Sequence, residues 1–241
     1  MLHGCISLVV ALMSAVLVFW VWYPSPYLSI LQVGEIYGLL LVVDVVCGPL
    51  LTMILVNPKK SRKERWLDLS LVGLLQIIAL LYGMHSVWQA RPVAVAFEVD
   101  RLVLVTANEI QTEALHLAPE NMKKLPWAGV FQVATRQALS SEERLETTLV
   151  GLAGISPGMR PDWWLPWDVA RPAIQAQAKP LYSLAQRRLE YLEVLQSAAK
   201  KSGLDLRELF YLPFVSSKTN DWIALLDSNG NVVGYAHVDG F

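Results

Sequence analysis

The chain has 241 residues, 54% of them hydrophobic and only 17% charged, with a mean hydropathy of +0.39. Soluble domains carry about a quarter charged residues, so the composition excludes an ordinary soluble protein and a disordered one. A net charge of −1 and a pI near 6.4 argue against a nucleic-acid partner. The two cysteines, Cys5 and Cys47, lie in apolar runs, which excludes a disulfide scaffold, a CxxC redox motif and a cysteine zinc site.

The charge is unevenly distributed. Up to residue 90 the only charged side chains are Glu35, Asp44, Lys59, Lys60, Arg62, Lys63, Glu64, Arg65 and Asp68. This predicts a transmembrane domain over 1–90 and a soluble domain over 91–241. Three apolar runs, 5–22, 33–56 and 66–88, reach spanning length, since about 20 apolar residues cross a hydrocarbon core. The expected fold class is therefore a membrane protein with three N-terminal transmembrane helices followed by an α+β periplasmic domain. Trp20, Trp22, Tyr23, Trp66, Tyr82 and Trp88 fall near the ends of these runs, as an interfacial aromatic belt would. The first run lacks a basic leader and a small-x-small cleavage site, so it reads as a retained anchor.

Topology is read from the loop 57–65. Lys59, Lys60, Arg62, Lys63 and Arg65 are its topology determinants, and the positive-inside rule assigns this short basic loop to the cytoplasm. The N-terminus is then cytoplasmic and everything after Trp88 external, which in a Gram-negative inner membrane means periplasmic.

Asp44 lies in the middle of the second run, and Gly48-Pro49 follows four residues later. A carboxylate at such a depth faces a partner, a cavity or an ion path, and Pro49 predicts a kink just beyond it. Two readings stay open: a docking or relay carboxylate for a partner, with Gly48 and Pro49 shaping the site, or a carboxylate paired internally with Gln76 or His85.

In the soluble half, Val93 to Val99 alternates with small and polar residues and predicts a strand, followed by a second over 102–105. A helix is expected over 107–117 and a strand within 127–135. Ser140 with Glu143 reads as a capping box opening a helix to about Leu152. The stretch 157–180 is rich in Pro and Trp and is either an aromatic-packed loop or a partner surface. One helix is predicted over 181–201, then strands over 211–216, 221–226 and 232–238, the last two joined by a turn containing Asn229-Gly230.

No GxSxG, HExxH, Walker A or dinucleotide-binding pattern is present, and His3, His85, His116 and His237 are scattered. No enzymatic activity and no cofactor or metal site is expected from these motifs. A binding or assembly role is favoured.

The order of several segments resembles a known family. They are Phe19-Trp20-Val21-Trp22-Tyr23-Pro24, Val43-Asp44-Val45-Val46-Cys47-Gly48-Pro49-Leu50-Leu51-Thr52, Asn57-Pro58-Lys59-Lys60, Leu74-Leu75-Gln76, Leu81-Tyr82-Gly83, Gln89-Ala90-Arg91-Pro92-Val93, Phe97-Glu98-Val99-Asp100-Arg101 and Ala107-Asn108-Glu109-Ile110. Together they are similar to the type IV pilin accessory proteins of the TfpX/TfpZ type, over residues 1 to about 113. Cys47 departs from the plain apolar residue expected there. The resemblance implies an inner-membrane, chaperone-like protein that binds or protects a cognate major pilin and promotes its assembly, in contact with the bilayer and with the assembly platform as a further partner. Two other readings are a modulator of the assembly or retraction machinery that does not bind pilin, and a membrane-anchored periplasmic enzyme of unrecognised type.

Overall fold

The computed structural model describes residues 2–42, 46, 48–55 and 61–241. The chain divides into two compact units, Met1–Arg91 and Pro92–Phe241.

The first unit is helical: α1 (Leu2–Val16) widening into a π-helical turn over Leu17–Trp22, α2 (Tyr27–Ile30), α3 (Val33–Val42), α4 (Gly48–Leu55) and α5 (Arg62–Gln89). This corrects the expectation of three transmembrane helices. Among the described residues, one helix, α5, is long and apolar enough to cross a membrane, and the apolar helix Leu8–Trp22 is shorter. Within the run expected over 33–56, the described residues include helices of 10 and 8 residues. Gly48 and Pro49 are the first two residues of α4, and the kink expected beyond Asp44 lies outside the described residues.

Both ends of α5 are closed locally. Ser61 accepts a hydrogen bond from Glu64 N–H at 3.3 Å, and the Glu64 carboxylate accepts from Ser61 N–H at 2.8 Å. At the other end, Tyr23 Oη donates to Val87 C=O at 2.7 Å and Arg91 Nη1 to Trp88 C=O at 2.9 Å, while Ala90 N–H reaches Ser86 C=O. Carbonyls that the last helical turn leaves without partners are thus satisfied. Tyr37 Oη lies 2.6 Å from Ser14 Oγ, tying α3 to α1.

The second unit is an α+β domain built on one mixed sheet. Its strands are β1 (Pro92–Glu98), β2 (Arg101–Thr106), β3 (Phe131–Thr135), β4 (Trp164–Pro166), β5 (Lys179–Pro180), β6 (Phe210–Val215), β7 (Trp222–Leu226) and β8 (Val232–Ala236). The order is β4-β3-β1-β2-β6-β7-β8, and β5 pairs with Phe210–Tyr211 of β6 beyond the point where β2 leaves it. The β1–β3 and β2–β6 pairs are parallel and the others antiparallel.

Helices α6 (Ser141–Leu152), α7 (Trp167–Gln177), α8 (Leu181–Arg187) and α9 (Leu192–Ser202) complete the domain. On one face of the sheet, α8 and α9 bury Leu181, Leu184 and Leu195 against Tyr211, Ile223 and Leu225. The same face of β1–β3 is covered by the segment Ala107–Met122, with Ile110 and Met122 packed on Ala96, Val105 and Val133. Val95, Phe97, Leu102, Leu104, Leu212 and Phe214 point to the opposite face and are also buried. Burial on both faces makes Ala94 and Ala96 core residues, where alternation alone suggested a half-exposed strand.

Three local expectations differ from the structure. Residues 107–117 form two 3-10 segments instead of an α-helix. The helix expected over 181–201 is two helices separated by a 3-10 turn at Leu189–Tyr191. The Pro/Trp-rich stretch contains β4 and α7 instead of an irregular loop, while its tryptophans Trp163, Trp164 and Trp167 are buried, in line with the aromatic-packed reading.

Candidate functional site

In the first unit the residues singled out from the sequence fall as follows. Asp44, Lys59 and Lys60 lie outside the described residues, and with Asp44 the docking and internal-pairing readings do too. Gly48 and Pro49 begin α4, while Arg62, Lys63 and Arg65 occupy the first turn of α5.

That turn is chemically odd. A helix N-terminus favours acidic side chains, so three cations there oppose the helix dipole and gain nothing from it. Beyond them α5 presents a narrow stripe to its own unit, with Val72, Gly83 and Val87 buried and Asp68, Leu69, Gln76 and Leu80 half-buried. The exposed surface is mostly apolar, including Trp66, Leu71, Leu74, Leu75, Ile77, Ile78, Leu81 and Tyr82. A helix that exposes so many large apolar side chains fits lipid better than water.

In the second unit the notable element is α6, which is amphipathic but turned inside out. Its half-buried side carries Glu143, Thr147 and Val150. Leu145, Leu149 and Leu152, spaced i, i+4, i+7, share the opposite side and are 62%, 58% and 83% exposed. Leu139, just before the Ser140 cap, is exposed as well.

Contacts at both ends of α6 hold it in this orientation. At its start, Ser140 Oγ accepts from Glu143 N–H at 3.1 Å. Arg136, after β3, makes two hydrogen bonds to the Glu143 carboxylate at 2.6 and 3.1 Å, and its guanidinium lies 4.2 Å from the centre of the Trp163 ring. At its end, Gly154 takes a left-handed φ of +89°, a conformation that suits glycine, and the chain turns back onto the sheet. There the Glu98 carboxylate of β1 accepts from Ser156 Oγ and from Gly158 N–H, both at 2.7 Å. Gly158 sits directly over Ala96, so close that a Cβ would stand 2.7 Å from the Ala96 Cβ and 2.6 Å from Glu98 Oε1. Trp164 Nε1 donates to Gly158 C=O at 2.8 Å and completes the contact.

The two carboxylates at these ends are perturbed in opposite directions. Burial raises Glu98 above the usual carboxylate range, against its hydrogen bonds from Ser156 and Gly158. The Arg136 hydrogen bonds hold Glu143 down to about 2, against an ordinary value of 4.5. Between 4.5 and about 2 the unfolded chain takes up a proton that the folded chain refuses. The stabilisation from this pair is therefore complete above 4.5 and is lost as the pH falls through that window. Glu143→Gln is expected to flatten the loss of stability on acidification. Chemical denaturation of variant and parent at about pH 5 and about pH 3 checks this, and an unchanged slope contradicts it.

No group of three or more His, Cys, Asp or Glu side chains suited to a metal ion occurs among the described residues. His116 is exposed beside Glu113 C=O, and His237 stacks on Trp222 at 4.9 Å. The sequence reading missed the Glu98–Gly158 contact, which joins residues 60 apart. It also missed the outward turn of α6, although the leucine spacing was visible.

Comparison with known proteins decides the family. The chain is 36% identical over 241 residues to the fimbrial assembly protein of serogroup I from Dichelobacter nodosus, covering all of this chain and 94% of that protein. The chain belongs to the fimbrial assembly proteins. The serogroup E1 protein of the same organism matches at the same identity and over the same shares. The protein of serogroups C1 and C2 is 44% identical over 114 residues, 47% of this chain and 87% of its own length. The family profile described as fimbrial assembly protein FimB matches residues 1–32 of this fimbrial assembly protein, a segment that includes α1 and the Tyr23 that closes α5. No solved structure matches the chain.

Proposed function

We propose that this protein is a membrane-anchored accessory factor of type IV pilus assembly, one that binds a major pilin subunit before its incorporation and acts by binding instead of catalysis. The end-to-end similarity to fimbrial assembly proteins carries the assembly role. The exposed apolar faces of α5 support the anchor. In this reading Arg62, Lys63 and Arg65, which oppose the helix dipole, are held by anionic headgroups on the cytoplasmic side, and Pro92–Phe241 lies on the other side of the membrane.

A pilin awaiting assembly carries an apolar helix, and Asp44 with Gly48 and Pro49 is the segment proposed to receive it. A polar group and small residues are the features that let helices associate in lipid. The test is co-purification of the pilin with the full chain from membranes of its host. Asp44→Leu is expected to abolish that association, and unchanged recovery of pilin with this variant overturns the role of Asp44.

A further inference from the structure

The outward leucine row of α6 is a built feature. The Arg136–Glu143 pair fixes one end of the helix, Glu98 fixes the turn after the other, and the half-buried side is its less apolar side. Leucines at i, i+4 and i+7 make a continuous apolar strip of the kind that a partner segment reads. Charge then narrows the occupant. Glu142 and Glu146 border one side of the strip and both are exposed, while Arg144 and Thr148 border the other. Glu143 is already neutralised by Arg136.

An anionic membrane surface is repelled by the acidic border, since helices that lie on lipid carry lysine and arginine beside their apolar face. A second copy is also disfavoured. In an antiparallel self-pair the Glu142 and Glu146 borders meet each other, and in a parallel one Glu146 faces only Ser141.

We propose that α6 is a docking helix whose Leu145, Leu149 and Leu152 receive an apolar row of a partner protein, with Glu142 and Glu146 meeting lysine or arginine along one edge of that row. Resting on the pilin-binding reading above, this assigns the apolar, basic-edged segment to the pilin subunit. The asymmetric borders fix the direction in which that segment lies, and the preformed helix spares an ordering cost on binding.

The experiment places a photo-crosslinking amino acid at Leu145, Leu149 or Leu152 of the full chain in membranes of its host, with the exposed Leu189 as control position. A pilin adduct at the three α6 positions and none at Leu189 is the expected result. Glu142→Lys combined with Glu146→Lys is expected to lower the adduct yield at Leu149 about fivefold or more, corresponding to one desolvated charge contact. Because Glu142 lies in the first turn of α6, where a cation opposes the helix dipole, the second variant is Glu146→Lys alone, at an exposed position beyond that turn, and it is expected to lower the yield in the same direction. Pilin that co-purifies but leaves no adduct on α6 overturns the docking surface and leaves the pilin-binding reading standing. Adducts to lipid or to a second copy overturn it as well, as does a yield indifferent to the charge reversal. Pilin that fails to co-purify at all removes both.

Discussion

Gly158→Ala is expected to destabilise the second unit by about 3 kcal/mol, the largest single-methyl effect foreseen in this protein. The added Cβ would stand 2.6 Å from Glu98 Oε1 and 2.7 Å from the Ala96 Cβ, in a sheet buried on both faces. Relief requires the turn Pro157–Met159 to lift from β1. That movement stretches the hydrogen bonds from Gly158 N–H to Glu98 and from Trp164 Nε1 to Gly158 C=O. Overpacking of this kind costs about 1–3 kcal/mol, and each weakened buried hydrogen bond adds about 1 kcal/mol. For a domain of this size the midpoint of thermal unfolding should fall by about 6–12 °C. Tryptophan fluorescence of the full chain reports it, because Trp163, Trp164 and Trp167 are buried next to the affected turn. A shift below about 2 °C contradicts the packing described here. The same substitution loosens the segment that fixes the end of α6.

Leu75→Arg together with Ile78→Arg tests the anchor. Both residues lie near the middle of α5 and are exposed. On a helix surrounded by water, arginine at these positions is nearly neutral. At the centre of a bilayer each arginine costs about 3 kcal/mol on insertion scales, so the pair is expected to lower the carbonate-resistant membrane fraction on the order of tenfold or more. Protein that stays fully membrane-bound contradicts an anchor at α5.

Much of the second unit is legible in the sequence because its signals are local. Ser140 caps α6 by bonding to Glu143 N–H, three residues on. Asn229-Gly230 turns β7 into β8, with Gly230 at φ +77°. Strand order is not legible. The parallel β2–β6 pair joins Leu102 to Phe214, and no turn residue announces a partner so far away. The same holds for Gly158, whose need for a bare Cα comes from Ala96 across the sheet.

The first unit failed in a different way. Hydropathy counts apolar residues and is blind to the length of the helix that carries them, and among the described residues α5 has the length and apolarity to cross a membrane. Periodicity was blind in turn to direction. Leu145, Leu149 and Leu152 announce a shared face, but only the half-burial of Thr147 and Val150 on the other side shows that this face looks outward.

The central claim is that this fimbrial assembly protein binds the pilin subunit. Its most direct test is the recovery of pilin with the tagged full chain in mild detergent, against a tag-only control from the same host. The account predicts that the major pilin dominates the eluate. Recovery of assembly-platform or motor proteins with no pilin above the control would contradict it and move the role to the machinery.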